Sequence, residues 1–337
     1  MTKLEARMPR SSAIRHLDFE LLSSFGFRHL ALSQRGFSAL FSQVKTILGM
    51  IKFSHTLFAL PFALLAAGMA TRCELADGGA WRPLDWLGIL LCMVFARSTA
   101  MAFNRIADRK LDAENPRTAI RHLPKGLLGV TAVAVFAIVC AAAFVASTLI
   151  FWFSSGNLLP LYLAVPVLLF IYLYSFTKRF TALSHFWLGA SLMLAPLATW
   201  IAIRGTSDWP PWPPLVLGGA VLFWVAGFDI IYACQDVEFD KRVGLHSVPA
   251  RFGVRGSLRL AMLCHAVMIV FLALLPAVFE LGWIYWLGVV AVATLLVYEH
   301  SLVRPDDLAR VNLAFFNVNS IISMGLFLVT VLDMTLR

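Results

Sequence analysis

The sequence predicts an all-α integral membrane protein, a bundle of nine transmembrane helices with its N-terminus in the cytoplasm. Of its 337 residues 60% are hydrophobic and only 14% charged, with a mean hydropathy of +0.79. A soluble domain is about 45–50% apolar and about a quarter charged. The apolar residues gather into blocks of roughly the 20 residues that cross a bilayer, and nearly every Lys and Arg falls between blocks.

The blocks run 46–70, 84–106, 127–150, 158–175, 184–203, 214–235, 257–279, 281–300 and 311–333. Pro61, Pro166 and Pro196 lie inside them, which membrane helices tolerate because neighbouring groups re-satisfy the backbone. Ahead of the first block, residues 1–43 form an N-terminal extension, moderately basic and without an apolar run leading to a small-residue cleavage site. That pattern is not the one expected of a signal peptide, and the expectation is either a disordered cytoplasmic tail or an amphipathic helix on the membrane. Residues 44–337 make up the bundle.

Charge sets the orientation. One side holds Arg72, Arg82, Arg204 and Arg337, and Arg97 lies inside the second block; every other Lys and Arg belongs to the tail or to the loops after the second, fourth, sixth and eighth blocks. The positive-inside rule puts that basic side in the cytoplasm. The net charge of +9 is thus a matter of topology, and no nucleic-acid partner is expected. Cys73, Cys92, Cys140, Cys234 and Cys264 stand singly, with no C-x-x-C pair, as small core hydrophobes rather than a zinc site or disulfide frame.

Two acidic stripes carry the chemistry. Asn104, Asp108 and Asp112 recur every four residues where the second block leaves the membrane, and Asp229, Tyr232, Asp236 and Asp240 do much the same at the end of the sixth. On continuous helices each set would share one face. The interval from Asp108 to Asp236 equals that from Asp112 to Asp240, an internal echo. Carboxylates this close repel one another and need compensation at a membrane boundary. Oxygen ligands without His or Cys suit a hard cation such as Mg²⁺, which bridges to phosphates. Asn104, Asp108, Asp112, Asp229, Asp236 and Asp240 are the candidate ligands. Arg117, Arg121 and Lys125 follow the first stripe, and Lys241, Arg242 and Arg251 the second. Metal-binding carboxylates beside cations are what a diphosphate requires, although each cation equally serves as a topology anchor. Tyr232 and Lys241 join the substrate-binding candidates. A cation transporter would bury its carboxylates nearer the midplane and would not ring them with positive charge.

The stretches NRIADRKLD followed by NPRT, DIIYACQDVEFD, YSFTKR at Tyr174–Arg179 and LAPLATWIA in the fifth block resemble the UbiA superfamily of membrane prenyltransferases from about Lys45 onward. The resemblance implies a helical bundle with a central cavity open to lipid and capped by the cytoplasmic loops. It implies transfer of a polyprenyl group from a polyprenyl diphosphate to an aromatic acceptor, with one Mg²⁺ on Asn104, Asp108 and Asp112 and a second on Asp236 and Asp240. Lys178, Arg117 and Arg121 would contact the diphosphate, and Tyr174 would sit beside the allylic cation. Asp108, Asp112, Asp236, Asp240 and Tyr174 are then the catalytic candidates, at the cytoplasmic side of a bacterial inner membrane.

Arg97 lies seven residues before Asn104, two turns away on nearly the same face. An intramembrane arginine is costly and faces a cavity or a partner. It would bind the carboxylate of an aromatic acid or pair internally with a motif aspartate. An Arg at this offset resembles the members that prenylate 4-hydroxybenzoate. The opening of the first block, MIKFSHTLFALPFALL from Met50, and Arg105 after Asn104 resemble instead the branch of the futalosine route to menaquinone. The menaquinone acceptor is the expectation, with the 4-hydroxybenzoate step of ubiquinone synthesis as the alternative. His55 is expected to pack between helices.

Overall fold

The computed structural model describes residues 46–51 and 58–337; the extension 1–43 and His55 lie outside the described residues. A first unit, ending at Met50, contributes the helical residues 46–50, and a second, 51–337, holds the bundle. Its helices are α1 (Leu60–Ala76), α2 (Pro83–Ala107), α3 (Arg109–Glu114), α4 (Val130–Ser155), α5 (Leu159–Thr177), α6 (Ser184–Arg204), α7 (Trp212–Ala233), α8 (Val237–Arg242), α9 (Val248–Leu274) and α10 (Trp283–Ser301). The last, α11 (Val311–Thr335), contains a π turn at Ala314–Val318.

Among the described residues eight helices are long and apolar enough to cross a membrane, and α1 occupies the remaining expected position, the first, with 17 residues. Its start at Leu60 is later than the expected 46, and it runs on to Ala76. Pro61 stands in the first turn, where its missing N–H costs nothing. The same device opens α2, α5, α7 and α9. The helix α9 begins at Val248 rather than 257, because Ser247 caps it, its side chain accepting from the Ala250 N–H at 3.2 Å. Arg251, Arg255 and Arg259 hide that first stretch from a hydropathy reading, and Gly253 at φ 69° kinks it.

Small residues decide which helices touch. Membrane helices associate through close packing rather than through expulsion of water, so glycine at a crossing matters. A Cβ on Gly189 of α6 would stand 2.3 Å from the Leu222 carbonyl oxygen of α7, and one on Gly88 of α2 would stand 2.8 Å from the Phe151 ring of α4. Gly227 of α7 similarly faces His265 of α9. These three crossings, α6 on α7, α2 on α4 and α7 on α9, are the most extensive in the bundle. The run containing α7 is 67% buried, against a third or less for each of the other spans, so it forms the central post. Its Trp224 is fully buried and donates to the Asn319 side-chain oxygen of α11 at 2.6 Å.

Candidate active site

Neither acidic stripe stays on one continuous helix. The helix α2 stops at Ala107 and restarts as α3 at Arg109, with Asp108 between them at φ −94°, ψ 3°. The sixth span passes through a 3₁₀ turn, Cys234–Asp236, into α8, with Asp236 at φ −104°, ψ 5°. Both central aspartates thus sit in the bridge region of backbone space, where many active-site residues are found. The echo seen in the sequence is a matched break in two helices, and it turns the last aspartate of each stripe back toward the bundle. Asp112 is 6% and Asp240 3% exposed.

The stripes meet across one cavity of about 760 Å³, lined by Asn104, Asp108, Asp112, Asp229, Asp236 and Asp240. Cations from other segments close on them. Arg117 donates through Nε to Asp236 Oδ1 at 2.8 Å and through Nη2 to Oδ2, while its Nη1 reaches the Tyr232 hydroxyl at 2.8 Å. Asn115 adds a third donor to Asp236 Oδ1 at 3.0 Å. Arg121 Nη1 donates to Asp112 Oδ1 at 2.6 Å, and Arg105 Nη1 stands 4.0 Å from its Oδ2. Asn104 Nδ2 donates to Asp108 Oδ2 at 2.9 Å, and Arg179 lies 3.5 Å from Asp108 Oδ1. Burial and then the charge of Asp112 raise the Asp108 pKa above the ordinary carboxylate value, against the pull of Lys178 and Arg179. Burial opposes the charge on Arg117, but the Asp236 carboxylate outweighs it and holds the guanidinium above its usual range.

Away from this charged end the same cavity is lined by Met93, Phe144, Phe151, Leu163, Val167 and Leu192. It follows α2 from Asp108 to Ile89, about 28 Å by helical rise. Arg97 lines it between the two ends. Among the described residues no carboxylate lies within ion-pair distance of Arg97, and its Nε has no hydrogen-bond partner. The internal ion pair with a motif aspartate is therefore not formed. Asp112 takes Arg105 and Arg121 instead, because α3 turns it toward them. Tyr174 and Lys178 line the cavity from α5 and its end.

Two sequence candidates stand differently from expectation. Lys241 is exposed and does not line the cavity, because the break at Asp236 rotates α8 relative to α7. Asp229 lines the cavity, but its Oδ2 is 2.6 Å from Nδ1 of the fully buried His185. Ser175, Asn115, Arg179 and His185 complete the site without having been singled out. Asn115 and Arg179 fall inside the stretches NPRT and YSFTKR, whereas a lone His at the start of α6 gives no signal.

No three His, Cys, Asp or Glu among the described residues converge closely enough to hold a metal by themselves. Yet Asp112 Oδ2 and Asp240 Oδ2 are buried with no hydrogen-bond partner. Unsatisfied buried carboxylate oxygens in an oxygen-only donor set fit a hard cation that takes its remaining ligands from water and phosphate.

A profile of the UbiA prenyltransferase family matches residues 59–321. A 4-hydroxybenzoate octaprenyltransferase of Marinobacter nauticus is 34% identical over 245 residues, 72% of this chain and 80% of the relative. One from Nitrosomonas eutropha is 31% identical, covering 77% and 88%. Among solved structures, an apo UbiA homolog from Aeropyrum pernix K1 superposes with a TM-score of 0.72 at 28% identity, over 83% of this chain and 98% of that one. A UbiA homolog from Archaeoglobus fulgidus bound to DMAPP and Mg²⁺ shares the fold, with a TM-score of 0.64 at 20% identity, over 87% and 100%.

Proposed function

The chain belongs to the UbiA prenyltransferase family, and from that premise we propose that it transfers a polyprenyl group from a polyprenyl diphosphate to 4-hydroxybenzoate, as in ubiquinone biosynthesis. It is a multi-pass membrane prenyltransferase; the acceptor, the metal and the residue roles are the proposal. The relatives at 34% and 31% identity carry the 4-hydroxybenzoate name, which favours that acceptor over the menaquinone route expected from the residues at Met50. Part of that stretch, 52–57, lies outside the described residues.

The observation that carries the acceptor class is Arg97, a cavity-lining guanidinium with no carboxylate partner among the described residues. An arginine presents a planar fork matched to a carboxylate, and here it sits half-buried about 10 Å along α2 from Asn104. An aromatic acid held there directs its ring toward the aspartate end. Asn104, Asp108, Asp112, Asp236 and Asp240 would hold two Mg²⁺ ions; bound there, Mg²⁺ supplies Lewis-acid stabilisation to the departing diphosphate. Arg117, Arg121, Lys178 and Arg179 neutralise the same leaving group directly. The allylic C–O bond breaks, its electron pair leaves with the diphosphate, and Tyr174 presents a ring face to the cation. A ring carbon of the acceptor then forms the new C–C bond, and its proton passes to water. The apolar length of the cavity holds the prenyl tail. In a bacterium the protein would act in the inner membrane, and the positive-inside rule favours the aspartate end facing the cytoplasm.

The test is turnover by purified protein given Mg²⁺, a polyprenyl diphosphate and either 4-hydroxybenzoate or the same phenol without its carboxylate. Mass spectrometry should find a prenylated acid and released diphosphate with the first acceptor only. Equal yields from both acceptors would exclude the carboxylate role of Arg97.

A further inference from the structure

Guanidinium groups lining the cavity hold three of the four aspartates that close the stripes. Arg117 takes both oxygens of Asp236, Arg121 takes Oδ1 of Asp112 at 2.6 Å, and Arg179 stands 3.5 Å from Asp108. Asp240 pairs with no Lys or Arg among the described residues, and its Oδ2 is buried without a hydrogen bond. The two closest cations, Arg117 and Arg121, come from one segment between α3 and α4 that contains no regular helix. Both side chains can therefore move without unwinding a span.

A carboxylate whose two oxygens both accept from one guanidinium has its best lone pairs occupied, and a divalent cation brought there meets a positive charge a few ångströms away. Metal alone has to displace Arg117 from Asp236 with only water to receive it. A diphosphate offers the displaced guanidinium a bidentate partner of the same geometry. We propose that Arg117 and Arg121 are exchangeable counterions, which move from Asp236 and Asp112 to the diphosphate as Mg²⁺ takes their place on the carboxylates. The exchange rests on the metal-diphosphate reading above and deepens it, because it couples the two ligands. Each raises the affinity of the other by the same factor. Asp240, free of a guanidinium, is the first contact for the metal.

Equilibrium dialysis of the full chain in detergent, with Mn²⁺ as the probe at matched free concentration, reads this coupling with and without inorganic diphosphate. Diphosphate should tighten protein-bound Mn²⁺ about tenfold or more. Arg117→Gln should bind Mn²⁺ alone about tenfold more tightly than the unaltered protein and lose most of that enhancement. Arg121→Gln should change in the same direction, which keeps the test open if one variant folds poorly. Mn²⁺ binding that ignores diphosphate, or that weakens in both variants, overturns the exchange and leaves the metal site standing. Absence of protein-bound Mn²⁺ under every condition overturns the metal-diphosphate reading and the exchange with it.

Discussion

At the end of the bundle away from the aspartates, Arg204 is 5% exposed by its side chain and bonds the carboxylates of Glu74, Asp77 and Asp208. At the aspartate end, Arg117 and Arg121 are 30% and 28% exposed and line a cavity. The chemistry is the same and the consequence is opposite. Arg204 joins α1, α6 and the turn after α6, and Glu74 passes the network on to Arg82, which bonds Asp85 and the Ile203 carbonyl. Each guanidinium nitrogen of Arg204 and Arg82 is satisfied by protein, which makes the pair a staple. At the other end Asp112 and Asp240 each keep a buried oxygen without a partner among the described residues, and the cations line the cavity. Asp85 Oδ1 at the stapled end is also buried without a partner among the described residues, so the site is marked by unpartnered carboxylate oxygens and half-exposed guanidiniums that line one cavity together.

Substitutions sharpen that contrast, the largest effect first. Asp236→Ala should reduce kcat/KM by about 10³-fold or more, equivalent to ~4 kcal/mol of transition-state stabilisation, while the thermal midpoint in detergent moves little. Its partner Arg117 is exposed enough to find water. Arg204→Ala should do the reverse, lowering unfolding stability by about 1.5–3 kcal/mol through the charge-assisted hydrogen bonds it removes, with turnover per folded molecule retained. Thermal unfolding and turnover measured on both variants test this pair, and a stable, inactive Arg204→Ala would break the comparison.

Arg97→Ala lies between these extremes. It should raise the acceptor KM by about 10–100-fold, the ~1.5–3 kcal/mol of a hydrogen bond to a charged group, and leave the prenyl-donor KM nearly unchanged. The smallest effect concerns pH. Hydrogen bonding from Arg204 holds the Asp208 pKa below its ordinary carboxylate value, against burial. A depressed folded-state pKa adds stability that is complete above the unfolded value, about 4, and fades as pH falls through the folded one. Unfolding midpoints measured from pH 6 down to pH 3 should fall less steeply in Asp208→Asn than in the unaltered protein.

Much of the fold was legible because hydropathy is local. Eight of nine expected blocks appear as long apolar helices among the described residues, and the beginning of α9 was missed only because arginines occupy its first turns. The aspartates were legible as well, since spacing and residue type are written along the chain. Their geometry was not. Nothing in NRIADRKLD shows that the helix breaks at Asp108, and nothing in DIIYACQDVEFD shows the matching break at Asp236. Those breaks send Lys241 outward and turn Asp240 inward.

The sequence by itself determined an all-helical membrane bundle, two repeated acidic stripes and an arginine within a span. These follow from composition and short-range periodicity, which survive whatever the chain does at long range. Only the tertiary structure decided the partners. Asp236 meets Asn115 and Arg117 more than a hundred residues away, Asp229 meets His185, and Arg97 meets no carboxylate among the described residues. Pairing of charges depends on which helices cross closely, and in this bundle glycines such as Gly189 and Gly88 fix those crossings by admitting a neighbour where a Cβ would clash.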